Sequence, residues 1–277
     1  CALPICYGTQ KKMNLTGSVA TISADNIATI PVSNISNAMA GRMPGIFFYN
    51  KSGMPGVSSP ITIRGVNTPN NTNPTYVIDG VVREKADFDA LDPNTIENIS
   101  VLKDAAASSI YGSRAPFGVV LVTTKSGKSG RPVINYNNSF RYSGPTNLPN
   151  QLDSYRFANF FNEAAVNQGD KIIFDEETIG RIQDYMAGKI TTTTIPNGSN
   201  WHFHEKANDN VNWYKTHFTW AWSQEHNLSM SGGTEKLQYY VSGSYLNQNG
   251  NLRYGNDNMK RYNLSAKINT KINKYID

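Results

Sequence analysis

Apolar and polar positions follow one rhythm up to about residue 128 and another after it. In the first stretch Ile35, Ala38, Met39 and Met43 recur at helical spacing behind Pro31, with Ser33 or Asn34 placed to cap, so a short helix ending near Gly41 is predicted. From Gly45 to Val82 the pattern turns to strands, IFFYN, PITIRGV and TYVIDGVV, punctuated by Gly53, Pro55, Gly56, Pro69 and Pro74. Asp79 with Gly80 is the strongest hairpin signal there, because a tight primed turn needs positive φ at both central positions. Beyond it, Asp92, Pro93 and Asn94 open a helical turn, IENISVLKD reads as a strand, AAASSIYG as a short helix closed by Gly112, and GVVLVTTKSG as another strand. These two βα-like units predict one compact α+β domain of about 120 residues. The Gly- and Ser-rich stretch from Lys125 to Pro132 reads as a linker.

From Val133 the period is two. Ile134, Tyr136, Phe140 and Tyr142 share one face of a strand whose other face carries Asn135, Asn137, Ser139 and Arg141. A run from Leu237 alternates likewise, and HNLSMSGG, with Leu228 and Met230 on one side, is a weaker case. The clearest run sets Tyr262, Leu264, Ala266, Ile268, Thr270 and Ile272 against Arg261, Asn263, Ser265, Lys267, Asn269 and Lys271. Ten to twelve residues at about 3.3 Å each, tilted by about 40°, reach roughly 25 Å, the height of the apolar band of an outer-membrane barrel. Strands of soluble sandwiches average about five or six residues. The connections between runs go long, short, long, as extracellular loops and brief periplasmic turns do. About four strands of a transmembrane β-barrel wall are expected, too few to close a lumen.

Composition sharpens this picture. Only 17% of residues are charged, the net charge is +5, and 33 Asn with 15 Tyr give a polar but uncharged chain. Such a surface is unlike that of an average soluble domain, where about 25% of residues are charged. No apolar window approaches a helical membrane span, and the basic excess is too diffuse for a nucleic-acid footprint. Cys1 and Cys6 are the only cysteines, so neither a disulfide framework nor a cysteine metal site organises the fold. Residues 1–6 read as a non-native junction, and the whole as a piece of a longer protein. His202, His204, His217 and His226 lack the ligand spacing of a metal site, and no nucleophile triad, paired acid or phosphate cradle is present, so no catalytic residue, metal or cofactor is expected.

The phrases YGTQKK (7–12), GRMPGI (41–46), ITIRGV (61–66), PTYVIDGVV (74–82) and IENISVLKDAAASSIYGSRAPFGVVLVTTKSGK (96–128) resemble the plug domain of the SusC/RagA family of TonB-dependent outer-membrane transporters. HNLSMSGGTEKLQYYVSGSYLNQNG (226–250) and KRYNLSAKIN (260–269) resemble the first barrel strands that follow that plug. The resemblance implies a plug at 7–128 and the start of a barrel at 129–277, with a long extracellular loop at about 143–223. It also implies import of oligosaccharide or oligopeptide cargo from a SusD-like surface lipoprotein, with outer-membrane lipid around the wall and the plug facing the periplasm. The TonB complex would act through a segment ahead of Tyr7. Pro116 and Phe117 depart from the family pattern and put local packing of the plug against the wall in question.

Within that frame Arg42, Arg64 and Arg114 are candidate latches to carboxylates on the inner wall, or else locally solvated arginines. Tyr49, Asn67, Asn70, Asn71 and Asn73 are candidate cargo contacts on loops at the plug apex, the alternative being a solvated loop. Gly65, Asp79, Gly80, Tyr111, Gly112 and Gly118 read as structural motif residues, and Lys103 with Asp104 as a surface pair or cap. Trp201, Trp213, Trp220, Trp222 and Tyr214 suggest an aromatic girdle at the lipid interface more than a sugar platform. Rival readings are a siderophore or cobalamin receptor of the same general build, and a soluble carbohydrate-binding β-protein.

Overall fold

The computed structural model describes residues 2–5, 8–11, 19–28, 34–49, 52–65, 73–104, 111–112, 115–196 and 204–271. Expectations at Cys1, Cys6, Ser33, Asn67, Asn70, Asn71, Arg114, Trp201, His202, Ile272 and the AAASSI segment lie outside them. The chain forms two compact units, residues 1–143 with 221–250 and 256–277, and residues 144–220 with 251–255.

In the first unit β1 (Ala2–Ile5) and β2 (Gly8–Lys11) pair antiparallel. Then come β3 (Val19–Ser23), α1 (Ala24–Ala28), α2 (Ile35–Met39), β4 (Ile46–Phe48), β5 (Ile61–Ile63), β6 (Thr75–Ile78), β7 (Val81–Arg83), α3 (Lys85–Ala90), β8 (Ile96–Leu102) and β9 (Val119–Thr124). Five of these strands make one sheet in the order β3-β8-β9-β6-β7, antiparallel except for the β6–β9 pair. The sequence VVLV explains why β9 is central, since a strand covered on both faces needs apolar residues on both, and Val119, Val120, Leu121 and Val122 are all buried. Ile35, Met39, Phe88, Ile99 and Val101 are fully sequestered in the principal core. β4 and β5 form a separate two-stranded ladder.

Asp79 (φ 47°) and Gly80 (φ 84°) make the left-handed turn between β6 and β7. Only a short polar side chain and a glycine enter that region at small cost.

The polypeptide then enters an antiparallel meander of β10 (Gly130–Ser143), β13 (Ala221–Gly233), β14 (Leu237–Asn249) and β15 (Asn258–Thr270), each paired with the next. Each has 13 or 14 residues, long enough for the apolar thickness of a membrane. HNLSMSGG is thus the second half of a longer strand than its own alternation suggests. On β15, Leu264 is 85% exposed, Tyr262 72% and Ile268 65%, while Arg261, Asn263, Ser265 and Lys267 are half-buried on the other face. On β13 the inward residues Ser223, Glu225, Asn227 and Ser229 are buried and the outward Trp222 and Leu228 are exposed. Greasy residues outside and polar residues inside invert the soluble pattern, as lipid requires.

The second unit holds α4 (Ser154–Gln168), α5 (Glu176–Met186), a two-residue ladder of β11 (Ile195–Pro196) with β12 (His204–Glu205), and α6 (Trp213–His217). Each helix starts at a side-chain cap. Asp153 accepts from Arg156 N at 2.8 Å, Asp175 from Thr178 N at 2.9 Å, and Asn212 from Lys215 N at 3.0 Å. Lys206 also pairs with Asp175 and Glu177, and its ammonium holds the Asp175 carboxyl far below the usual carboxylate range. Phe157, Phe161 and Phe174 pack together as a partly exposed aromatic cluster, while Ala158, Ala165 and Ile182 are buried.

Candidate functional site

The site is the seam where the N-terminal sheet meets the polar face of the meander, within the first unit. Among the described residues, side-chain links from Asn227, Lys267 and Arg261 cross it. Asp92, 3% exposed, has one carboxylate oxygen accepting from Asn94 N at 2.8 Å and Asn94 Nδ2 at 3.0 Å; the other accepts Asn227 Nδ2 of β13 at 2.6 Å. The Asp-Pro-Asn sequence sets this up locally, because the side chain that caps the 3-10 turn Pro93–Thr95 leaves its second oxygen aimed away from the turn. Lys267 of β15 reaches Asp79 Oδ1 at 3.2 Å and the carbonyl of Thr124 at 3.3 Å, while Asp79 also accepts Thr124 N at 2.9 Å. Arg261 of β15 donates to Asn34 Oδ1 at 3.5 Å and to the Asp89 carbonyl at 3.3 Å. The Asp89 carboxylate is in turn held by Ser36 at 2.7 Å and by Lys85. On the wall itself Arg141 lies 3.3 Å from Glu225.

At this seam Arg261 and Lys267 stand on the wall and Asp79 and Asp92 on the sheet. Arg64 pairs with Asp104 of its own domain, and Arg42 donates to the carbonyl of Asn26 at 3.1 Å. Lys103 Nζ donates to the carbonyl of Pro44 at 2.6 Å. Among the motif glycines, Gly65, Gly112 and Gly118 all have positive φ. Tyr111 packs against the smaller core around Val119. Tyr49 and Asn73 are exposed.

The residues joining sheet to wall are no loose linker. Gly127 is buried, and a Cβ placed there would sit 2.4 Å from both the amide nitrogen and the carbonyl oxygen of Tyr239 on β14. Only glycine lets the two backbones lie this close. Polarity alone did not signal this.

The outward face carries a row of rings. Tyr136 and Phe140 flank His226, which stacks on Tyr245, which meets Tyr262 at 5.0 Å, and Tyr142 packs on Trp222 at 4.9 Å. Of the tryptophans expected in a girdle, Trp222 is in this row. Trp213 and Tyr214 are instead on α6 of the second unit, where Trp213 stacks on His217, and Trp220 covers Gly144. The alternation of the strands, more than tryptophan clustering, was the signal for this belt.

Two cavities bear on function. One of about 660 Å³ lies in the seam, bordered by Asn135 and Asn137 of β10, Asn227, Ser229 and Ser231 of β13, and sheet residues including Glu97 and Lys125. Another of about 570 Å³ belongs to the second unit and is mainly apolar, lined by Leu152, Phe157, Phe174, Ile182, Val211 and Trp213 among others.

Comparison with known proteins accounts for this architecture. Residues 11–119 match the TonB-dependent Receptor Plug Domain. The chain is 35% identical over 251 residues to TonB-dependent receptor P26 of Formosa agariphila, covering 89% of this chain and 23% of that one. It is 30% identical over 298 residues to TonB-dependent receptor SusC of Bacteroides thetaiotaomicron, covering 99% of this chain and 26% of that one. The chain thus spans about a quarter of the length of these curated relatives. The RagAB peptide importer in its open-open state superposes with a TM-score of 0.77 at 29% identity, over 99% of this chain and 31% of that one. The siderophore receptor PirA from Acinetobacter baumannii shares the fold at 18% identity, TM-score 0.52, over 92% of this chain and 29% of that one. A plug match, relatives along nearly the whole chain and a shared fold lead to one conclusion: the chain belongs to the SusC/RagA-type TonB-dependent outer-membrane receptors, of which it carries the plug domain and four strands of the wall.

Proposed function

We propose that this chain is the plug and first wall segment of a nutrient importer that takes up oligosaccharides or oligopeptides delivered by a SusD-like surface lipoprotein, and that TonB, driven by the proton-motive force, displaces the plug to open the way. The observation that carries the reading is the seam itself, a folded plug held against the polar face of a lipid-exposed wall by a few separable side-chain links. Each such link is worth about 1–3 kcal/mol, strong enough to hold a docked plug and weak enough to part under load. The work is a shift between docked and displaced populations, with no bond chemistry. Arg42, Arg64 and Arg114 keep a place in this reading as plug residues whose wall partners stand on strands beyond these four. Tyr49, Asn67, Asn70, Asn71 and Asn73 are proposed to meet cargo at the plug apex. Similarity to SusC and to the RagAB peptide importer supports this cargo class over a siderophore, and the exposed band of Tyr262, Leu264 and Ile268 weighs against a soluble β-protein.

The test joins Asp92→Cys and Asn227→Cys in the complete transporter with a short, reducible bis-thiol linker. Uptake of isotope-labelled oligosaccharide and oligopeptide mixtures is then followed in cells with and without TonB. One mixture should enter only with TonB, stop on cross-linking and resume on reduction. Undiminished entry through the cross-linked protein would refute plug displacement, and TonB-independent entry of both mixtures would refute the importer reading.

A further inference from the structure

The cavity of about 570 Å³ in the second unit falls within the roughly 300–1,000 Å³ of small-ligand sites, and its lining comes wholly from that unit. It includes Phe157 of α4 and Phe174, which meet edge to face at 6.2 Å, the buried Ile182 of α5, and Val211 and Trp213. Trp213 is 57% exposed and Leu152 48%, so apolar surface around the cavity stands open to water, as it does where a ligand is to cover it. The neutral polar side chains of the lining are already engaged. Gln151 Nε2 donates to the Val211 carbonyl at 3.2 Å and its Oε1 accepts Trp213 N at 2.9 Å, while Ser154 Oγ donates to the Asp209 carbonyl. His217 stacks on Trp213 with the rings 16° apart, so one face of that indole is taken. A sugar needs several free polar groups converging around an aromatic face, and this lining does not offer them. Among the described residues its one charge is the exposed carboxylate of Asp209. Asn210 N at 2.8 Å and the Tyr185 hydroxyl both donate to that carboxylate, which holds it in place with acceptor capacity to spare.

We propose that this cavity captures the N-terminus of a peptide, taking a bulky apolar first side chain against Phe157, Phe174 and Trp213 and the α-ammonium on the Asp209 carboxylate. The proposal rests on the importer reading above for its purpose, a holding station for oligopeptide cargo on the insertion between the first two wall strands. The chemistry follows from the lining. Apolar walls beside a single anion suit a ligand with an apolar body and a cationic head, which an unblocked peptide has and a neutral glycan lacks. Acetylation of the peptide keeps the side chain and removes the charge, so it separates the two contributions.

The experiment titrates the purified complete transporter in detergent, by calorimetry, with Phe-Ala-Ala amide, its N-acetyl form, Ala-Ala-Ala amide and maltotriose. Phe-Ala-Ala amide should bind at least about tenfold more tightly than the trialanine amide, because it buries a phenyl ring in place of a hydrogen. Acetylation should weaken it about three- to fivefold, the worth of one exposed ion pair. Asp209→Asn, which can still accept from Asn210 N and the Tyr185 hydroxyl, should weaken the free peptide by the same factor and leave the acetylated one unchanged. Ala207→Phe, which fills the cavity from an exposed lining position, should weaken both at least about tenfold. Peptide affinities unmoved by both substitutions would overturn the site. Equal affinity for free and acetylated peptide, or maltotriose binding that Ala207→Phe removes, would overturn the assigned chemistry. Uptake of labelled Phe-Ala-Ala amide in cells with and without TonB scores the importer reading separately. TonB-dependent uptake with unmoved affinities would strike the site and spare the importer, whereas the expected affinities with TonB-independent uptake would do the reverse.

Discussion

The Asp92–Asn227 link should carry a measurable share of plug docking. Both residues are almost wholly buried, at 3% and 2% exposure, so neither water nor salt screens them strongly. A hydrogen bond to a charged acceptor contributes about 1.5–3 kcal/mol, whereas a neutral one contributes about 1. Asp92→Ala leaves the Asn227 amide buried without its acceptor and also removes the cap on Asn94, so by itself it overstates the link. Asn227→Ala leaves the cap in place but takes one donor from the carboxylate. The double-mutant cycle cancels the capping contribution and isolates the contact across the seam. A coupling of about 2 kcal/mol is expected, roughly a 30-fold change in the ratio of docked to undocked plug. Urea titration of the complete transporter in detergent, with hydrogen exchange at the β8 and β9 amides reporting undocking, measures it. A coupling below about 0.5 kcal/mol would refute the claim that this contact latches the plug.

Gly127→Ala should lower the free energy of undocking from the same titration by about 1–3 kcal/mol, because its Cβ meets the Tyr239 backbone and no side chain can swing aside, while Lys128→Ala, at an exposed neighbour, should not. Leu264→Lys on the lipid face should destabilise the wall by about 2–4 kcal/mol if it lies near mid-membrane, and Ser265→Lys on the inner face by much less, as read by refolding into lipid vesicles. Tyr76→Phe should be neutral or stabilising by up to about 1 kcal/mol in thermal melts, since the Tyr76 hydroxyl is buried with no hydrogen-bond partner among the described residues and burial pushes its pKa up. Lys206 lowers the Asp175 pKa, so the stabilisation from this pair is fully present above the ordinary carboxylate value of about 4 and is lost as pH falls toward the depressed folded value. Carboxyl NMR titration of Lys206→Met should show the Asp175 pKa moving up toward its ordinary value; an unmoved pKa would refute the pairing.

Elements driven by local rules could be read from the sequence. Period-two alternation marked all four wall strands, and the Asp79–Gly80 turn and the helix after Asn34 follow from residue patterns within a few positions. β3 and α3 were missed, because VATIS and KADFDA are short and gain their structure from neighbours in the sheet and core. The parallel pairing of β6 with β9 was likewise invisible, since it joins segments more than 40 residues apart. The seam was half legible. Asp79 was singled out for its backbone conformation and Asp92 for its cap, yet each also holds a wall residue, and a carboxylate that already has a local duty gives no sign of a second. Lys267 and Arg261 had been placed on the polar side of β15, but what that side would face depends on the fold.

Strand β13 must find β10 across roughly 80 residues, whereas β14 finds β13 across the three from Thr234 to Lys236. A structureless segment of the larger size would cost about 3 kcal/mol more in chain entropy to bring its ends together. The intervening residues are not structureless: they hold two capped helices that bury Ala158, Ala165 and Ile182. A segment that folds on itself has already given up much of that chain entropy, so the closure of β13 on β10 costs less than the length of the excursion alone implies.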